Sequence, residues 1–246
     1  MAIEAKGNKK MEKIIGFFLG KIWPALCASA QDARELIQSN SSFFATMRDR
    51  KGVCSNAWLF GIFVAVGLGI LGLPASRSAG ITPNLEFAGV MTMMNWLLVA
   101  FYGVCFAIGS RLLGSDREML VSVNTFFYVS GWLVVLKLFE MPALGARFKA
   151  MAQSCSAFSY DEAVTSAIQQ SSMAKTSDDI VLIGYVVFIG FAIAKMQRSV
   201  HDFGWTRAIL STVIGMALLS AMVSYVQEPI ISQLICSYVS YPLKGL

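Results

Sequence analysis

The sequence predicts an all-α polytopic membrane protein, a five-transmembrane-helix bundle with an amphipathic N-terminal segment. Three observations predict it. First, 56% of the 246 residues are hydrophobic and only 14% are charged, where a soluble domain carries about 25% charged residues. The mean hydropathy is +0.61. Second, the apolar residues gather into five uncharged runs, 52–76, 87–110, 119–136, 180–194 and 208–227. A bilayer-crossing helix needs roughly 17–25 such residues. The fourth run is 15 residues long and reaches a workable length if Lys195 extends its aliphatic stem toward the headgroups. Third, basic residues cluster on one side of the predicted spans. Helices are the expected element because only they satisfy their own backbone polar groups in hydrocarbon. Spanning strands would alternate apolar and polar residues, and these runs do not.

Taken in order, residues 1–51 form the N-terminal segment. "KIIGFFLGKIWPALCASA" has the ingredients of a signal peptide, but Lys21 interrupts the apolar stretch. The expectation is a retained amphipathic helix. Ile14, Phe18, Ile22 and Leu26 share one helical face, with Phe17 and Trp23 beside it. Lys13, Phe17, Phe18, Lys21 and Trp23 are the candidate membrane anchor. The same face fits a helix covering the bundle's cytoplasmic end equally well, because amphipathicity does not distinguish lipid from protein. Ser29 with Asp32 fits a capping box for a second short helix, which Phe43, Phe44 and Met47 could press onto the membrane.

The membrane domain, 52–228, has expected spans near 55–75, 88–110, 119–138, 180–196 and 208–227. The charged link "SRLLGSDREML" makes a tight turn between the second and third, with Gly114 and Ser115 reversing the chain. Arg111 suits the negative end of one helix dipole, and Asp116 and Glu118 the positive end of the next. Residues 140–179 form a long outer loop with helical segments and a cap at Thr176 and Asp179. A loop of that length with structure of its own is often a docking surface or a lid. Residues 229–246 are an interfacial tail that starts at Pro229.

Lys and Arg accumulate in cytoplasmic loops. Nine precede the first span. An inside N-terminus places fourteen on the cytoplasmic side and five opposite, with Lys137 near a helix end. The C-terminus then faces outward. This bias also accounts for the pI near 9.0, so no nucleic-acid partner is expected.

Chemistry is sparse. The five cysteines show no metal-ligand spacing, and no P-loop, zinc signature or nucleophile elbow occurs. No cofactor, metal or catalytic activity is expected. Cys155 and Cys236 both fall on the outer side, where an oxidising compartment would allow a disulfide. Nothing in the sequence brings their Cα atoms within reach, and two half-buried free thiols are the favoured reading. The only histidine, His201, lies in a cytoplasmic loop and reads as an interface residue. Asn95, Asn124 and Lys137 are candidate intramembrane polar residues, with Ser122 and Thr125 nearby. Lys137 and Glu140, three apart, are placed to pair. Stripes of small residues, such as Gly61, Ala65 and Gly69, allow close helix approach within the bundle or to another subunit.

Four features together resemble the YIP family of integral membrane proteins, particularly its bacterial branch. "SSFFATMRDRKGVCSNAWLFGIFVAVGL" is similar to that family's approach to its first span. "GSRLLGSDREMLVSVNTFFYVSGWLVV" is similar to its second turn and polar-aromatic third span. "IVLIGYVVFIGFAIAKMQRSVHDFGWTRAILSTVIG" is similar to its last helical pair. The fourth feature is a cytoplasmic N-terminal segment ahead of about five spans. The family's proline early in span three is replaced by Ser130-Gly131. The resemblance implies no catalytic residues. It implies a bacterial inner-membrane location, with an ER or Golgi membrane as the alternative.

The expected function is a non-enzymatic scaffold or accessory subunit that contacts lipids and other membrane-protein subunits or a second copy of itself. Arg111, Asp116, Arg117, Arg198, His201 and Arg207 are its candidate cytoplasmic docking surface. The alternative is a transport component whose pathway Asn95, Asn124 and Lys137 would line.

Overall fold

The computed structural model describes residues 23–38, 40–155 and 160–239, with Gly16 and Gly20. Within them the chain is an all-α polytopic bundle. Its helices are α1 (Trp23–Gln38), α2 (Asn40–Asp49), α3 (Ser55–Ser78), α4 (Leu85–Leu112), α5 (Met119–Val129), α6 (Gly131–Gln153), α7 (Tyr160–Gln170), α8 (Ser172–Val200) and α9 (Trp205–Tyr238). Four of them, α3, α4, α8 and α9, are individually long and apolar enough to span, and the bent pair α5–α6 makes a fifth.

The uncharged runs become helices because backbone groups in hydrocarbon must pair internally. Their ends are set by local signals. The Asn84 side chain caps α4, accepting from the Phe87 amide at 2.8 Å. Gly114, at φ +80°, closes α4, and the Ser115 amide reaches back to the Ser110 carbonyl. This is the left-handed glycine stop expected for that turn.

The helices alternate in direction. One end of the bundle holds α1, α2 and the turns at 113–118 and 201–204. The other holds α7 and the ends of α6 and α9, joined by a disulfide between Cys155 and Cys236. Their Cα atoms lie 5.6 Å apart, and the free-thiol expectation is corrected. The α6–α9 packing that meets at Ile235, Met151 and Leu144 brings them together across 81 positions.

Several expectations are revised. The third span is not one helix. It bends by 45° between Val129 and Gly131, where the Ser130 hydroxyl donates to the Phe127 carbonyl at 2.6 Å. Such back-bonding competes with the helical ladder and bends it. The outer segment 140–179 is mostly helix, because α6 runs on to Gln153 and α8 starts at Ser172. Ser171 is the cap of α8, accepting from the Ala174 amide, in place of Thr176 and Asp179.

The tail does not restart at Pro229. Instead α9 continues through it to Tyr238. Proline crowds the carbonyl four residues back. Here that is Tyr225, inside a π-helical turn, Val223–Gln227, where the ladder is already displaced. A second π turn, Tyr185–Ile189, interrupts α8.

Of the N-terminal segment, α1 is continuous through Ser29, so no second helix is capped there. Ser29 donates to the Ala25 and Asn56 carbonyls instead. Phe43, Phe44 and Met47 are buried in the protein core, not pressed on a membrane. The helices α1 and α2 therefore cover one end of the bundle. Lys13, Phe17, Phe18 and Lys21 lie outside the described residues, and Trp23 is 54% exposed.

Candidate functional site

Two constellations of polar side chains stand out, one at each end of the bundle. The larger is a cavity of about 440 Å³ bounded by α4, α6, α8 and α9, with Leu68 of α3. Lys137, Glu140 and Arg147 reach it from α6, Asn95 and Tyr102 from α4, and Asp178 from α8. Tyr185, Ser224 and Gln227 complete its polar lining. At 1.5 Å per residue, Met216 at its base lies about 17 Å along α9 from Trp205. The cavity therefore reaches well inside the span. A vestibule of about 440 Å³ continues it outward and shares Arg147, Asp178 and Ser224. Lys175, Asp179 and Glu228 line that outer part.

Irregularities in the helices build the cavity. Each π turn contributes directly: Tyr185 and Val186 from one, Val223, Ser224 and Gln227 from the other. An inserted residue rotates the following side chains relative to an unbroken α-helix, and such bulges recur at functional sites. The bend after Ser130 sets the direction of α6 and with it the line of its charges. Gly184 lets α8 approach α6, since a Cβ there would stand 2.7 Å from Leu136.

The charges alternate in sign. Lys137 Nζ lies 2.9 Å from Glu140 Oε2, the pairing that the spacing predicts. Arg147 bridges Glu140 at 3.8 Å and Asp178 at 2.5 Å. The Arg147 Nε–H is buried and has no acceptor among the described residues. The Tyr102 hydroxyl donates to Gln227 across the α4–α9 contact. Two cations and two anions thus stand side by side along the wall, paired with one another. Among the described residues no three His, Cys, Asp or Glu side chains gather as a metal site would need.

The second constellation ties the covering helices to the bundle. Asn124 Oδ1 accepts from the Trp58 indole at 2.9 Å and the Cys54 amide at 3.4 Å, while its Nδ2 donates to the Gly52 carbonyl at 2.8 Å. Asn124 thus holds the start of α3 and lies apart from the cavity. The Tyr128 hydroxyl donates to Asp32, and Arg48 and Arg117 both pair with Asp202.

His201 is buried between two serines: Ser115 Oγ is 2.7 Å from Nδ1 and Ser122 Oγ 2.8 Å from Nε2. Burial, with the Arg117 guanidinium adding repulsion and Asp202 partly offsetting it, pushes His201 down from 6.5 to about 4. A neutral imidazole with one donor and one acceptor nitrogen serves both hydroxyls. As an exposed docking residue His201 is therefore corrected: it pins two turns together from inside.

The other members of the proposed docking surface are on the outside. Arg111 donates to the Ser115 carbonyl at 3.0 Å, and Asp116 is exposed in the same turn. Arg198 stacks over Trp205 and Arg207 over Phe203. Asn95 and Lys137 do meet in one cavity, as the pathway reading needs. Arg147, Asp178 and Gln227 went unrecognised as its partners. Their local sequence carries no signal for it, since Arg147 stands near Lys149 and Asp178 beside Asp179, and nothing local relates α6 to α8 or α9. No family model, curated protein or solved structure matches this chain, and the YIP likeness rests on the sequence stretches alone.

Proposed function

We propose that this integral membrane protein is a non-enzymatic binding component of a solute or lipid pathway, with the α4–α6–α8–α9 cavity as its ligand site. The observation that carries the reading is the ladder Lys137–Glu140–Arg147–Asp178 lining a cavity between helices. Lys137 lies at the end of a span, where ionisable groups are costly and mark ligand or ion routes, and Glu140, Arg147 and Asp178 stand just beyond the apolar runs. The ladder borders open volume, so a ligand can reach its charges. The expected orientation has α1 and α2 in the cytoplasm and the cavity opening toward the opposite, oxidising side of a bacterial inner membrane. The basic N-terminal segment and the disulfide support it independently.

The test is thermal stabilisation of the detergent-purified protein by small zwitterions and by lipid extracts. A ligand that raises the melting temperature of the wild type, and of Gly89→Ala as a control, but not of Asn95→Leu, supports the reading. No stabilisation by any solute or lipid overturns it.

A scaffold role is the second reading, and one observation favours it. The small-residue pair Ala217 and Ala221 on α9 is exposed, so that stripe is unused within the chain. A stoichiometric second chain that copurifies in mild detergent and is lost on Ala217→Trp would establish it.

A further inference from the structure

We infer that the ligand is a zwitterionic phospholipid that enters the cavity sideways from the bilayer, between α8 and α9. The inference rests on the binding reading above and names its substrate class. Several residues that line the cavity are also open to the outside: Leu182 is 63% exposed and Val186 64%, and Ser220 and Ser224 on the facing helix are exposed as well. The two helices therefore leave a slot toward the hydrocarbon at this level.

The slot is graded in polarity. Its α8 lip is aliphatic, with Leu182 and Val186, and its α9 lip carries hydroxyls, Ser220 and Ser224. Its floor holds Asn95, Tyr102, Gln227, Lys137 and Glu140. A lipid has the same grading in reverse, with acyl chains that stay in the bilayer and a headgroup that seeks charge. A water-soluble solute would gain nothing from the aliphatic lip.

The wall charges select the headgroup. A phosphate needs cationic donors, and Lys137 and Arg147 of the lining supply them. A primary ammonium needs carboxylates, and Glu140 and Asp178 stand next to those cations. An anionic headgroup of the glycerol type would satisfy the cations and leave the acids facing hydroxyls. Phosphatidylethanolamine chemistry fits both signs.

The experiment uses the full chain in nanodiscs of equal phosphatidylethanolamine and phosphatidylglycerol, with retained lipid identified by native mass spectrometry. Phosphatidylethanolamine is expected to be enriched about tenfold over phosphatidylglycerol, the ratio one well-placed charge contact supplies. Val186→Trp is expected to abolish the enrichment by filling the slot, with its unfolding transition in detergent kept as the check that it folds. Thermal stabilisation by soluble phosphoethanolamine alone, unchanged in Val186→Trp and without lipid enrichment, overturns the lipid assignment while leaving the binding cavity in place. Absence of both lipid enrichment and phosphoethanolamine stabilisation overturns the cavity reading as well.

Discussion

Single side chains carry much of the order at the covered end of the bundle. Asn124 is 1% exposed and its side chain engages Gly52, Cys54 and Trp58. Replacing it with leucine strands the Gly52 carbonyl and the Trp58 indole N–H in an apolar setting. Asn124→Leu is expected to lower stability by about 2–3 kcal/mol, read by unfolding in mixed micelles, with lipid retention per folded molecule unchanged. His201 makes stability depend on pH. Its folded pKa lies below its unfolded one, so the unfolded chain takes up the proton first. The contribution of the neutral ring is whole above about 6.5 and is lost as pH falls toward about 4. Full titration across that interval corresponds to about 3 kcal/mol. His201→Asn is expected to flatten the fall in melting temperature between those values. An unchanged slope would assign the pH dependence to the carboxylates instead.

At the level of elements, close approach of backbones decides the packing. A Cβ on Gly109 would stand 2.6 Å from the Ser211 carbonyl oxygen and 3.1 Å from the Gly215 nitrogen, both backbone atoms of α9. Backbone cannot swing aside, so Gly109→Ala must separate α4 from α9, at a cost of about 1–3 kcal/mol. Gly89, in the same helix, has nothing within 4 Å of such a Cβ. Gly89→Ala is expected to be neutral or to stabilise by up to about 1 kcal/mol through helix propensity. Thermal melts of the two variants side by side check the contrast. Some of the four-residue stripes were legible because small residues are themselves the signal: Gly61, Ala65, Gly69, Gly103 and Ala107 are buried, whereas Ala217 and Ala221 are exposed. The bend at Ser130 was not legible: a serine-glycine pair inside an apolar run is equally compatible with a straight helix. Nor were the π turns, since only the crowding at Pro229 leaves any local trace and nothing comparable marks Tyr185.

For the whole molecule, the spans follow from one-dimensional hydropathy, and the all-α polytopic class with them. What joins the spans does not, because Cys155–Cys236, Arg147–Asp178 and His201–Ser122 are contacts between segments far apart in sequence. Their geometry exists only once the bundle has formed. Topology can be tested directly. Epitope tags at the two termini are expected on opposite faces of the membrane. In sealed inverted vesicles a membrane-impermeant maleimide is expected to modify Cys27, which is exposed. Cys155 and Cys236 should react only after reduction and permeabilisation. Labelling of either without reductant would contradict the paired state.

The bond between Cys155 and Cys236 also turns the intervening chain into a covalent ring that contains α7, α8 and nearly all of α9. Both helical arms of that ring cross the bilayer, and its turn on the covered side is flanked by Arg198 and Arg207. A trypsin cut there leaves the polypeptide in two pieces that migrate as one on a gel until reductant is added. The protein can thus be nicked on one face of the membrane and remain fastened from the other.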